Sequence, residues 1–318
     1  MNINFERPDM VEEAAQTGGK NVFLEILMFV GVFFVSMFCE ITIAAIVLVL
    51  MMVSNPEILQ ASLMGDIAKA TELMSNYEEP SVIVQLFATA MMILVTTLFC
   101  KLIQKRKMRT LGYKKAGMWK EYGIGVLAGF GMMTAVALVG MVTGSLSLQL
   151  NPDALTGAGI GMLVILFAGF MVQGMAEEVL CRGYFLVSLA RKRGNVWMGI
   201  IVSALAFGAL HLGNAGIAPL AFVNLILFGI FAGVYFVKRG NIWGIAAFHS
   251  VWNFAQGNVY GILVSGNDFG TTIFNSTINE DMTLINGGAF GLEGGILTTI
   301  GLVAGTVIMM MTKQKDVA

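Results

Sequence analysis

A chain of 318 residues that is 57% hydrophobic and only 12% charged cannot clothe itself in a water-facing surface, because soluble domains carry about 25% charged residues. A formal charge of −1 with no basic tail argues against nucleic acid as a partner. With a mean hydropathy of +0.79, the composition is that of an all-α, polytopic membrane helix bundle.

Residues 1–20 read as a cytoplasmic N-terminal segment. Glu6, Asp9, Glu12 and Glu13 stand where a cleavable signal would be basic. A bilayer core of about 30 Å takes roughly 20 apolar residues per helix. The first run, 21–53, is longer than that and carries Glu25 and Glu40, so it is a tilted or a broken helix. Ile58, Leu59, Leu63, Ile67 and Leu73 then predict an amphipathic outer helix over 57–76. Spans follow at 81–103 and 124–148, separated by a basic inner loop over 101–120. These elements make up an N-terminal transmembrane region, 21–156.

A core region over 157–266 holds spans at 157–190, 196–214, 217–237 and 242–265. A Gly-rich outer loop and a last span at 294–312 complete the chain over 267–318, for about eight transmembrane helices. Pro56, Pro80, Pro152 and Pro219 fall in loops or at span ends, where helix interruption costs little. Gly157/Gly161, Gly229/Gly233 and Gly301/Gly305 have the GxxxG spacing of close helix packing in lipid. Asn275-Ser276-Thr277 is formally a glycosylation sequon.

Lysine and arginine set the orientation. The loop at 101–120 holds eight of them, and others follow spans four, six and eight, ending with Lys313 and Lys315. With Arg7 and Lys20, all basic residues except Lys69 and Arg182 fall on one side. Both termini are therefore expected in the cytoplasm. Short inner loops suit a multi-pass protein of a bacterial cell membrane, with lipid as an obligatory partner.

A charge inside the bilayer costs at least about 2.5–3.5 kcal/mol, so residues that carry one are functional candidates. Span four contains Glu177-Glu178 and Arg182. Glu178 and Arg182 are one turn apart with the acid first, the favourable order for an ion pair. Glu177 is turned about 100° away and has no obvious partner, which suits a general base. Both histidines of the chain also lie in apolar spans. His211 follows Phe207 by one turn, and Asn253 follows His249 by one turn.

Glu177 and His211 stand at nearly equal distances from the turn near residue 193. His249 is roughly 13 Å past the turn near 240, against about 24 Å for Glu177. All three can meet only if the hairpin of spans four and five reaches about 10 Å further into the cytoplasm.

Glu177-Glu178-x-x-x-Arg182, Phe207-x-x-x-His211 and His249-x-x-x-Asn253 resemble, in order and spacing, the three motifs of the CPBP family. This family of CAAX proteases and bacteriocin-processing enzymes, also called Abi, includes the type II CAAX prenyl endopeptidases. The resemblance covers residues from near 165 to near 265. It implies an intramembrane glutamic endopeptidase acting on a membrane-associated peptide or protein. In that family's manner Glu177 would activate water, His211 would help to hold it, and His249 with Asn253 would stabilise the oxyanion. Glu178 and Arg182 would orient the site, and no cofactor would be needed.

The residues leave other readings open. Glu177, His211 and His249 form a His₂Glu set that zinc could use. Cys181, one turn from Glu177, is a conceivable nucleophile, although a buried thiol is normally inert. A proton-coupled transporter or channel would use the same acids and histidines as a relay, and a protease-like scaffold would only bind partners. Glu40 has no assigned role beyond packing.

Overall fold

In lipid only a backbone that satisfies its own hydrogen bonds persists, and the apolar runs accordingly become helices. The computed structural model describes residues 5–75, 77–193 and 195–314. Expectations that fell on residues 1–4, Asn76, Gly194 and Lys315 lie outside the described residues, as does the side chain of Arg193. The helices are α1 (Asp9–Ala15), α2 (Val22–Val53), α3 (Pro56–Leu63), α4 (Ile67–Ser75), α5 (Glu78–Ala88), α6 (Ala90–Leu98) and α7 (Met118–Val142). They continue as α8 (Gly157–Glu178), α9 (Val187–Arg193), α10 (Val196–Leu210), α11 (Pro219–Arg239), α12 (Trp243–Phe254), α13 (Thr283–Asn286) and α14 (Ile296–Met311).

Among the described residues five stretches are long and apolar enough to cross a membrane: Val22–Val53, Glu78–Ile103, Met118–Val142, Gly157–Lys192 and Pro219–Arg239. The other three predicted spans are helical but shorter. In particular α10 stops at Leu210 rather than 214, and His211 caps it with non-helical dihedrals of −98° and 1°.

Three expectations are corrected in detail. The all-α bundle carries one small ribbon, in which strand β1 (Leu146–Leu150) pairs antiparallel with strand β2 (Phe274–Ile278). Both strands lie past helix ends, where the ribbon satisfies backbone groups that no helix takes up. The sequon residue Asn275 sits in β2. The outer helix predicted over 57–76 is two helices, broken at Gly65 with φ +70°. Ile58 is buried while Leu63 and Ile67 are 79% and 78% exposed, so the apolar positions do not share one covered face.

The third correction concerns glycine. Gly157 and Gly161 face open space, although Gly229 packs on Ala204 and Gly305 on Met132 and Phe231. Between long helices, closer approaches come from glycines in other places. A Cβ at Gly125 or Gly129 on α7 would overlap the carbonyl oxygens of Gly244 or Phe248, and one at Gly174 on α8 would overlap Ser250. These absences let α12 lie against both α7 and α8, which fixes the depth and rotation of His249. Gly129→Ala is therefore expected to destabilise the protein by about 1–3 kcal/mol through overpacking. It is also expected to lower turnover on any cleavable peptide by about 10²-fold by shifting His249. Gly161→Ala should alter neither, and melting and turnover of the two variants in lipid nanodiscs check the contrast.

The hairpin of predicted spans four and five protrudes as the depth argument requires. Gly183 sits against Leu111, and the neighbouring Gly112 accepts a hydrogen bond from the Ile242 amide at 3.1 Å. Gly183 and Ile242 therefore share a depth, and Glu177 and His249 each lie about 10 Å from that level. The helix runs on about 15 Å past Gly183. Its apolar surface there is covered by α1, which buries Met10, Val11 and Ala14. Arg191 binds Glu25 at 2.9 Å in this layer. On the outer face of α1, Glu13 pairs with Arg109 and with Lys107, the latter at 3.0 Å. Burial pushes the Glu13 carboxyl up, but the hydrogen bonds from Arg109 and Lys107 outweigh it and hold the group below its ordinary value.

Candidate active site

The three motif segments converge where α8 ends. Immediately after Glu178 the helix widens into a π-helical stretch, Val179–Leu186, and a second one, Ala255–Val259, follows Asn253 by two residues. Such stretches are rare and concentrate at functional sites. Arg106 supports the first of them. Its guanidinium is buried and donates to the carbonyls of Gly183 at 2.9 Å and Tyr184 at 3.3 Å, and to Ser188 Oγ at 3.1 Å.

Glu178 is the hub of the buried charges. Its Oε1 accepts from Arg182 at 2.9 Å and from His249 Nδ1 at 2.9 Å, and the acid and the arginine are fully buried. The Arg182 guanidinium stacks 4.7 Å from the centroid of Phe207 and 5.8 Å from that of Phe228. Because a carboxylate only accepts, His249 donates through Nδ1, which turns Nε2 toward Glu177. Glu177 Oε2 lies 3.7 Å from that nitrogen, beyond hydrogen-bond reach. Glu177 Oε1 accepts from Gln173 at 2.5 Å, while Oε2 is buried with no hydrogen-bond partner among the described residues.

His211 is held from the opposite wall. Its Nδ1 is 2.8 Å from the Phe207 carbonyl, and a carbonyl only accepts, so Nδ1 carries a proton and, in the neutral ring, Nε2 is the nitrogen with the lone pair. The Phe207 ring stands between the two imidazoles, with centroids 4.6 Å from His211 and 6.0 Å from His249. Glu177, His211, His249 and Asn253 all line one cavity of about 120 Å³, room for several waters. A second cavity of about 220 Å³ also touches Glu177, Phe207 and His211, and extends toward Phe33 of α2 and Met92 of α6.

The other readings meet this geometry unequally. Among the described residues no three His, Cys, Asp or Glu side chains are grouped to hold a metal ion. Glu177, His211 and His249 are not grouped as a three-ligand set in this arrangement. Cys181 borders the second cavity but is fully buried. Glu40, read only as packing, comes within electrostatic reach of Glu177, and its Oε1 is buried without a hydrogen-bond partner among the described residues.

Several residues of the site lay outside the sequence reading. Gln173 accepts from Asn253 Nδ2 at 3.1 Å as well as donating to Glu177. Its only sequence signal was a glutamine one turn before an unpaired acid. The segment that follows α12 into the outer loop also reaches the cavity, through Ser265, Asn267 and Phe269. Glu293 straps it down, accepting from Trp252 Nε1 at 3.1 Å, the Ser265 amide at 2.9 Å and Ser265 Oγ at 2.7 Å. No local spacing announces these contacts, because they join segments distant in the chain.

Comparison with known proteins agrees with the motifs. Residues 159–255 match the family model described as type II CAAX prenyl endopeptidase Rce1-like. This bears out the resemblance to the CPBP group, and it points to an intramembrane endopeptidase. The uncharacterized protein YyaK of Bacillus subtilis (strain 168) is 29% identical over 153 residues, 45% of this chain and 48% of YyaK. The aligned part thus spans about half the length of that curated relative. No solved structure matches.

Proposed function

We propose, with the type II CAAX endopeptidase-like segment as premise, that this chain is an intramembrane endopeptidase in which Glu177 activates water. The observation that carries the reading is that Glu177, one of whose oxygens has no hydrogen-bond partner among the described residues, lines a small cavity that two oriented imidazoles and a carboxamide also line. A water between Glu177 Oε2 and the lone pair on His211 Nε2 would lose a proton to Glu177 and attack the peptide carbonyl carbon. The developing oxyanion would take hydrogen bonds from the Asn253 amide and from Nε2–H of His249 in its doubly protonated form, whose Nδ1–H stays on Glu178, donors of the kind that stabilise tetrahedral intermediates. Glu177 would then pass its proton to the leaving amine. Glu178 and Arg182 touch no reacting atom and act by holding His249.

In this reading residues 157–266 are the catalytic core. The chain crosses a cell membrane about eight times with both termini on the basic side, and its substrate is a membrane-associated peptide or protein. The test is a comparison of membrane and secreted peptides from cells making the wild-type protein or Glu177→Gln. New peptide termini that disappear in the variant are expected, and identical peptide sets would overturn the reading. Activity of the purified wild type should survive exhaustive chelation. Loss on chelation with recovery on added zinc would convert the mechanism to a metallo type.

A further inference from the structure

We propose that Gln173, which lies outside all three motifs, is a positioning residue that ties the base to the oxyanion donor; the inference rests on the reaction proposed above. Gln173 and Glu177 are one turn apart on α8, and His249 and Asn253 one turn apart on α12. The chain directions oppose, so the four residues meet as two rungs, Gln173 with Asn253 at 3.1 Å and Glu177 with His249 at 3.7 Å.

The direction of each hydrogen bond in this ladder follows from charge. A carboxylate can only accept, so Gln173 must turn its amide nitrogen to Glu177 Oε1. Its carbonyl oxygen then faces Asn253, and a carbonyl can only accept, so Asn253 must turn its own amide nitrogen inward. The charge on Glu177 thereby fixes which way the Asn253 carboxamide lies, across one intervening side chain. A second observation fits this dependence. Asn253 Oδ1 is buried with no hydrogen-bond partner among the described residues, so nothing on that side orients the amide.

Two functional consequences follow. Glu177 Oε1 is occupied, which leaves Oε2 as the oxygen that meets water. Asn253 commits one N–H to Gln173 and keeps the other for the substrate oxygen. Without Gln173 the carboxylate is free to rotate and the Asn253 amide is free to flip, presenting an acceptor where a donor is needed.

The experiment uses the full chain in lipid nanodiscs and an internally quenched decapeptide pool, from which the peptide most rapidly cleaved by the wild type becomes the substrate. Gln173→Met is expected to lower kcat by about 10–10²-fold, the scale of a misplaced catalytic group, with KM within about twofold because the loss falls on the transition state. Asn253→Ala should lower kcat as well. The double variant should match the weaker single variant rather than the product of the two losses, since coupled residues are not additive. A Gln173→Met kcat within about threefold of wild type, or losses that multiply, would overturn the proposal.

A second measurement needs neither turnover nor the Gln173 variant. Side-chain amide resonances of nitrogen-15-labelled Gln173 and Asn253 should both move in Glu177→Ala. An unmoved Asn253 resonance would show that no tie exists. A wild-type protein that cleaves no member of the pool would instead sink the proposed function, with the amide resonances still reporting on the ladder.

Discussion

Glu177→Gln should abolish most peptide cleavage, by about 10³-fold or more at the upper range of general-base effects, while leaving the melting temperature of the protein nearly unchanged. The substitution is isosteric and its side-chain carbonyl can still accept from Gln173, so the packing of α8 on α12 is kept, although the charge that fixes the direction of the ladder is gone. What is lost is a group able to take a proton from water. Glu177 is suited to this separation because its side chain is 22% exposed, whereas the neighbouring Glu178 is fully buried. Removing its charge therefore leaves no other charge unpaired. Turnover of a cleaved peptide in nanodiscs, measured beside thermal unfolding, decides the matter. A variant retaining a tenth of wild-type turnover would remove Glu177 from the role of base.

The helical class and the convergence of the three motifs were legible because both rest on short-range regularities. Glu178 and Arg182 meet at the one-turn spacing that local helix geometry dictates. The protruding hairpin could be stated only as a condition, since the loop at Leu111 and Gly112 that levels Gly183 with Ile242 is a tertiary contact. Gly125 and Gly129 share the spacing of Gly157 and Gly161, yet only the first pair meets another backbone. Glycine spacing reveals a capacity for close approach and not which helix approaches. The π-helical stretch after Glu178 leaves no pattern in residue types, because it is a shift in hydrogen-bond register. Arg106 looked like one more inner-loop cation, and only its burial against the Gly183 and Tyr184 carbonyls separates it from Lys105 or Lys107. Gln173 carried too little signal alone, since a glutamine in an apolar helix usually serves as interhelical glue.

Glu178→Leu should behave in the opposite way to Glu177→Gln, with stability falling along with activity. The Arg182 guanidinium is fully buried, and its Nε and second amino nitrogen already lack hydrogen-bond partners among the described residues. Its stacking on Phe207 and Phe228 cannot replace the lost carboxylate. Removing one member of a buried ion pair strands the other, at a cost of about 3–5 kcal/mol. Replacing both by apolar residues, Glu178→Leu with Arg182→Met, removes the stranded charge and should restore most of the melting temperature. Activity should stay low in the double variant, because His249 Nδ1 has lost the acceptor that holds the ring. Stability and turnover thus part company only in the double variant, which distinguishes a purely structural ion pair from one that also aims a catalytic imidazole. Recovery of both together would reduce Glu178 to a packing role, and a single Glu178→Leu variant that melts like the wild type would show that Arg182 is not stranded at all.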